Sequence, residues 1–153
     1  LAASKTLKTN GPWALVTGPN LPQQDFDAIA ADAPAHVAVF RFRPDFASLL
    51  GGARLSVSQA GYNTVCDILR AGCRALLVPF IAGGETEQTV RAERLEKLGL
   101  ASVLTETDLS DATMTEAIRT ALAMRQSAHA LDLDGARQTA RIIEELAAAR
   151  RLE

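Results

Sequence analysis

The residues best placed for chemistry run from Ser56-Val57-Ser58-Gln59-Ala60-Gly61-Tyr62-Asn63-Thr64-Val65-Cys66-Asp67 into Ile68-Leu69-Arg70-Ala71-Gly72. Arg54 to Ser58 alternates as a strand does, Ala60-Gly61 makes a small-residue turn, and Val65, Ile68 and Leu69 recur at helical spacing until Gly72 stops the helix. A strand, a glycine turn and a helix start together make anion-binding geometry. The first amides of a helix lack intrahelical partners and sit at its positive dipole end, so a phosphate there meets ready donors at Gly61, Tyr62, Asn63 and Thr64. Each such contact is worth roughly 0.3–1 kcal/mol to a negative charge, so several must converge. Asp67, one turn into the helix, is placed to reach a sugar hydroxyl. On the turn alone, a plain strand-to-helix connection is an equally good account.

A second stretch gives this one a neighbour. Ala82-Gly83-Gly84 precedes Glu85, Glu87 and Gln88. Glycines let a ligand approach the backbone, and an acid or amide beside them binds hydroxyls with direction. A polar first turn of a solvated helix has the same composition. Tyr62 and Asn63 also suit a purely shaping role in their turn. Neither His36 nor His129 has a partner at metal-ligand spacing, and Cys66 and Cys73 read as core thiols in a reduced, cytosolic setting.

The elements that must position these residues alternate along the chain. Leu1 to Thr9 has the spacing of a helix tail ended by Asn10-Gly11-Pro12, and Trp13 to Thr17 is an apolar run of strand length. A helix over Pro22 to Ala33 carries Phe26, Ile29 and Ala30 on one side, and His36 to Phe40 is a second strand, running into Arg41-Phe42-Arg43-Pro44. One or two helical turns over Asp45 to Leu50 precede the stretch described above. Ala75 to Phe80 is the fourth strand, Glu85 to Leu98 a polar-faced helix, and Ala101 to Leu104 a short fifth strand. Thr107 or Ser110 caps a helix over Asp111 to Met124. The final helix, Gly135 to Arg151, sets Arg141, Arg150 and Arg151 opposite Ile142, Ile143 and Leu146 and reads as an amphipathic packing helix. Continuous apolar strands alternating with helices predict an α/β fold, a mostly parallel sheet with helices on both faces. In such sheets ligands bind beyond the carboxyl ends of the strands, at Thr17 to Asn20, Arg41 to Asp45, Ser58 to Thr64 and Phe80 to Gln88.

Composition bounds the function. The 153 residues are 48% hydrophobic, enough for one domain with a sizeable core. Sixteen basic and 18 acidic residues, net charge −2, form no basic stripe for nucleic acid or an anionic membrane. No apolar run approaches the roughly 20 residues that span a bilayer. The chain does not begin with Met and reads as a piece of something longer.

With these residues assembled, the chain resembles the C-terminal half of a family 28-type glycosyltransferase of the GT-B fold. It is most similar to predicted bacterial glycosyltransferases with a GGYNTVCE-like segment, matched by Ala60-Gly61-Tyr62-Asn63-Thr64-Val65-Cys66-Asp67. The signature continues at Leu76 to Phe80, Glu87-Gln88, and Arg91-Ala92-Glu93-Arg94-Leu95 up to Gly99. More distantly the chain resembles the enzyme that adds N-acetylglucosamine to the lipid precursor of peptidoglycan.

The resemblance implies a Rossmann-like domain that binds a nucleotide sugar, a UDP-sugar, as donor substrate, with no cofactor and no metal ion. The nucleotide base would lie against the loop of Phe42 and Arg43, with the Arg43 side chain toward phosphate, and the diphosphate at Gly61 to Thr64, beside Ser58. Asp67 would hold the ribose, where the family more often has Glu. Gly83, Gly84, Glu87 and Gln88 would face the sugar, and Glu87 departs from the two glutamines of the peptidoglycan enzyme. Transfer would be inverting and metal-independent, with the general base and acceptor site on an N-terminal domain. The chain alone would bind donor weakly and transfer nothing.

The family domain opens with a strand that is central in the 3-2-1-4-5-6 order, between the strands at Trp13 and Leu55. Its absence would leave two interior edges open to pairing with another chain, a route to a homo-oligomer. The expected location is cytoplasmic, with any attachment to the inner face of the membrane made through the N-terminal domain. Two other functions fit less directly. One is a non-catalytic binding or assembly subunit of a split glycosyltransferase; the other is a sugar-nucleotide epimerase, which would carry more acid and His residues near the donor.

Overall fold

The computed structural model describes residues 1–7, 11–84, 86–125 and 131–149. Thr9, Asn10, Glu85, His129, Arg150 and Arg151 lie outside the described residues. The elements are α1 (Ala2–Thr6), β1 (Trp13–Val16), α2 (Gln23–Asp32), β2 (Val37–Phe40), α3 (Phe46–Gly52), β3 (Ser56–Ser58) and α4 (Tyr62–Ala71). They continue as β4 (Ala75–Leu77), α5 (Glu87–Lys97), β5 (Ser102–Val103), α6 (Asp111–Ala123) and α7 (Gly135–Ala149), with 3-10 turns at Ala82–Gly84 and Glu106–Asp108.

Every strand pairing is parallel, as continuous apolar runs separated by helices require. The order is β1-β2 in one sheet and β3-β4-β5 in another. β1 and β3 do not pair with each other, and Val57 on β3 remains 41% exposed. That break falls between the strands at Trp13 and Leu55.

β4 organises the core because both its faces are covered. Leu76, fully buried, packs with Ala3 and Leu7 from the first turns of the chain and with Ile118 and Ala121 of α6. Ala75 and Leu77 point the other way, as a period of two dictates, and meet Leu50, Val65, Ile68, Leu69 and Leu95 from α3, α4 and α5. The strand itself is shorter than the apolar run 75–80. Val78 N–H still donates to Ser58 O at 2.8 Å, but Pro79 has no N–H to continue a ladder.

Helix ends follow local chemistry. Gly72 stops α4 in the left-handed conformation, φ 62°, with Gly72 N–H donating to Leu69 O and Cys73 N–H to Ile68 O. Of the two candidate caps for α6, Ser110 is the one used. Its Oγ accepts from Thr113 N–H at 3.2 Å while Thr113 Oγ1 accepts from Ser110 N–H at 2.9 Å. Thr107 lies in the 3-10 turn instead.

The last helix corrects the expectation of a packing helix. Ile142, Ile143 and Leu146 of α7 are 52%, 60% and 63% exposed. Helical spacing establishes that an apolar face exists, not that anything in the chain covers it. No helix among the described residues is long and apolar enough to cross a membrane.

Candidate functional site

The turn from β3 to α4 carries the clearest site geometry. Gly61 is the N-cap of α4, in extended conformation at φ −62°, ψ 143°, and the first intrahelical bond runs from Val65 N–H to Gly61 O at 3.0 Å. Gly61 has no side chain to cap α4, so among the described residues the first-turn amides at Tyr62, Asn63 and Thr64 are left for solvent or a ligand. The backbone at Gly61 would suit any residue. A Cβ built there meets nothing within 4 Å, so the glycine keeps open the space in front of the helix start. Three residues before Gly61 in the chain, Ser58 Oγ is buried without a hydrogen-bond partner among the described residues. A buried hydroxyl left unmatched is costly, which marks this one as a group awaiting a partner.

The loop after β4 is held by two side chains. Phe80 N–H donates to Gln88 Oε1 at 3.3 Å, and Ile81 N–H donates to Glu106 Oε2 at 3.2 Å. Gln88 therefore spends its carbonyl on the loop, leaving its NH2 as the end for a ligand. Gly83 and Gly84 have φ of 71° and 78°, a left-handed backbone that favours glycine, and so shape the turn that leads to α5.

Arg91 joins the two stretches. Its Nη1 donates to Ala60 O at 2.7 Å, its Nη2 bonds the Glu87 carboxylate, and its guanidinium lies over the Tyr62 ring, 5.7 Å from the centroid. Glu87 is thereby brought beside the Gly61 turn. Sequence reasoning did not assign Arg91 or Glu106 any role. The spacing of Glu87 and Arg91, one helical turn apart, was the available signal for the first; nothing local signals the second.

The remaining candidates are placed as follows. Asp67 lies one turn into α4, with a carboxylate oxygen 3.9 Å from Arg70 Nη1. Phe42 is 69% exposed in the loop after β2. The Arg43 side chain is engaged within its own loop: its Nε and Nη2 donate to Asp45 at 2.8 and 2.6 Å, and its guanidinium stacks over Phe40 at 4.6 Å. Asp45 follows two residues later on the same turn, which puts its carboxylate within reach. The hydrogen bonds from Arg43 hold the Asp45 carboxyl below the usual carboxylate range.

His36 Nε2 lies 3.0 Å from Ser4 O. Cys66 is partly buried and Cys73 buried, neither in a disulfide, and burial pushes the Cys73 thiol up. Two Asp-x-Asp runs, the spacing that suits a metal-bound diphosphate, occur at Asp25-Phe26-Asp27 and Asp132-Leu133-Asp134. The first lies in α2 and the second just before α7, in neither of the two site loops. Among the described residues no three His, Cys, Asp or Glu side chains gather at metal-binding distance.

Fold and site together define the class: an α/β, Rossmann-like domain of the GT-B glycosyltransferase kind. Residues 4–146 match the glycosyltransferase family 28 C-terminal domain, and the chain belongs to that family. It is 30% identical over 131 residues to the UDP-N-acetylglucosamine–N-acetylmuramyl-(pentapeptide) pyrophosphoryl-undecaprenol N-acetylglucosamine transferase of Gloeobacter violaceus, covering 79% of this chain and 37% of that enzyme. Among solved structures it is similar to MurG of Acinetobacter baumannii, with TM-score 0.63 and 27% identity over 78% of this chain and 35% of that one. It is similar also to the calicheamicin glycosyltransferase, with TM-score 0.64 and 29% identity over 80% of this chain and 30% of that one. The chain thus spans about a third of the length of these relatives.

Proposed function

We propose that this chain is the part of an inverting, metal-independent glycosyltransferase that binds the nucleotide-sugar donor, a UDP-sugar. The observation that carries the reading is the open start of α4 behind Gly61, with Ser58, whose buried hydroxyl has no partner among the described residues, at the end of the strand that leads into it. The diphosphate would take the amides of Tyr62 to Thr64. The base would lie on the backbone of the Phe42–Arg43 loop, the ribose on Asp67, and the sugar hydroxyls on Glu87, Gln88 and the Gly83–Gly84 turn. As the glycosidic bond to the diphosphate breaks, negative charge grows on the leaving oxygen. Fixed amides at a positive helix end favour that charge more than the ground state, which lowers the barrier.

A relative named as a UDP-N-acetylglucosamine-dependent N-acetylglucosamine transferase supports the choice of nucleotide, and its greater length supports an N-terminal domain that carries the acceptor site and the general base. The reaction would run in the cytoplasm, with any membrane contact made by that domain. Calorimetric titration with UDP, UDP-N-acetylglucosamine, ADP, GDP and dTDP tests the reading. UDP compounds should bind best, and no binding by any nucleotide would sink it.

The open edges of β1 and β3 would be joined by a further parallel strand of the same polypeptide, the central strand that the resemblance implies. Sedimentation of the full-length protein should then show a monomer. A concentration-dependent dimer would favour pairing between copies.

A further inference from the structure

We infer that Arg91 is a positioning residue whose charge makes an acidic sugar site compatible with a diphosphate donor. This inference rests on the donor-binding reading above. One guanidinium bonds Ala60 O, directly before the helix start, and the Glu87 carboxylate, so Glu87 is held next to the space reserved for phosphate. A carboxylate there is useful to a sugar, because it accepts hydroxyl hydrogen bonds strongly. It is also a like charge beside a diphosphate, and like charges across a binding site cost affinity.

Arg91 cancels that charge. Its side chain is 18% exposed while that of Glu87 is 73% exposed, so the cation is the sequestered partner and the carboxylate the one presented to ligand. The bond to Ala60 O and the stacking over Tyr62 keep the guanidinium from following solvent, which keeps Glu87 facing the turn.

The test separates charge from scaffolding. Full-length protein is titrated with UDP and UDP-N-acetylglucosamine as wild type, R91K, R91Q, E87Q and R91Q/E87Q, each checked for an unchanged melting transition. R91K keeps the charge and should bind UDP near wild type. R91Q keeps reach and a donor for Ala60 O but removes the positive charge beside Glu87, so it should bind UDP about tenfold more weakly. R91Q/E87Q removes both charges and should recover UDP affinity to within about threefold of wild type, while E87Q variants lose the extra affinity contributed by the sugar. Wild-type UDP affinity in R91Q, or a double variant as weak as R91Q, would overturn the proposal in favour of a merely structural arginine. Failure of wild type itself to bind any nucleotide is a different result, and removes the donor reading instead.

Discussion

Arg43 donates two hydrogen bonds to Asp45, from Nε to Oδ1 at 2.8 Å and from Nη2 to Oδ2 at 2.6 Å, and so closes the loop that follows β2. The fork lowers the Asp45 pKa chiefly through the hydrogen bonds from Arg43, against a smaller opposing effect of desolvation. A depressed folded pKa means that the pair's contribution is fully present above the ordinary aspartate value of about 3.9 and is lost as pH falls through the lower folded value. Carbon NMR titration should place the Asp45 midpoint below the ordinary range, and R43Q should return it there. An Asp45 midpoint unmoved by R43Q would show that the fork does not persist in solution.

Gly61→Asp should separate folding from binding. The backbone at φ −62° accepts a side chain and a Cβ meets nothing, so the fold should survive. Aspartate is also a good N-cap, preferred over glycine by a few tenths of a kcal/mol, so the melting temperature should hold or rise slightly. The new carboxylate would occupy the amides and repel the diphosphate. Donor affinity should therefore be abolished in titration, and unchanged affinity would return the turn to a simple connection.

Leu76→Ala tests the core. The side chain is fully buried between α1 and α6, and truncation at such a position costs about 2–5 kcal/mol. Val57→Ala on the partly exposed edge of β3 should cost about 0.5 kcal/mol or less. Thermal or urea denaturation of the two variants should rank them in that order.

The two thiols should react unequally. Cys73 is buried, with its pKa raised by desolvation, whereas Cys66 is only partly covered. The raised value favours the folded state at neutral pH and gives up that advantage as pH climbs past the ordinary thiol range of about 8.5 toward the higher folded value. Iodoacetamide at pH 8 should label Cys66 first, by mass spectrometry, with Cys73 labelled only on unfolding. Equal rates would show that the packing over Cys73 opens readily.

Much of the fold was legible because its determinants are local. The apolar runs at Trp13, Val37 and Ala75, the glycine that stops α4 at Gly72, and the small-residue turn before Tyr62 each declare themselves within a few residues. Strand ends were overestimated, as at Ala75 to Phe80, because apolarity continues where backbone pairing stops. The Arg43–Asp45 fork, although its partners are two residues apart, was not read from the chain, because a loop's local pairing depends on the backbone turn that brings the two side chains together.

The amino-acid sequence by itself determined the alternation of parallel strands and helices, the helix start at Gly61, and through its motif the family. These depend on spacing, backbone preference and capping, which act between near neighbours. Only the tertiary structure decided that Arg91 bonds Ala60 O across 31 residues, that Glu106 holds the Ile81 amide across 25, and that the apolar face of α7 stays exposed. Those outcomes turn on which surfaces meet once the core around Leu76 and Leu77 has formed. A residue's own neighbours in sequence carry no record of that meeting, because the packing of β4 against helices on both sides brings the distant groups together.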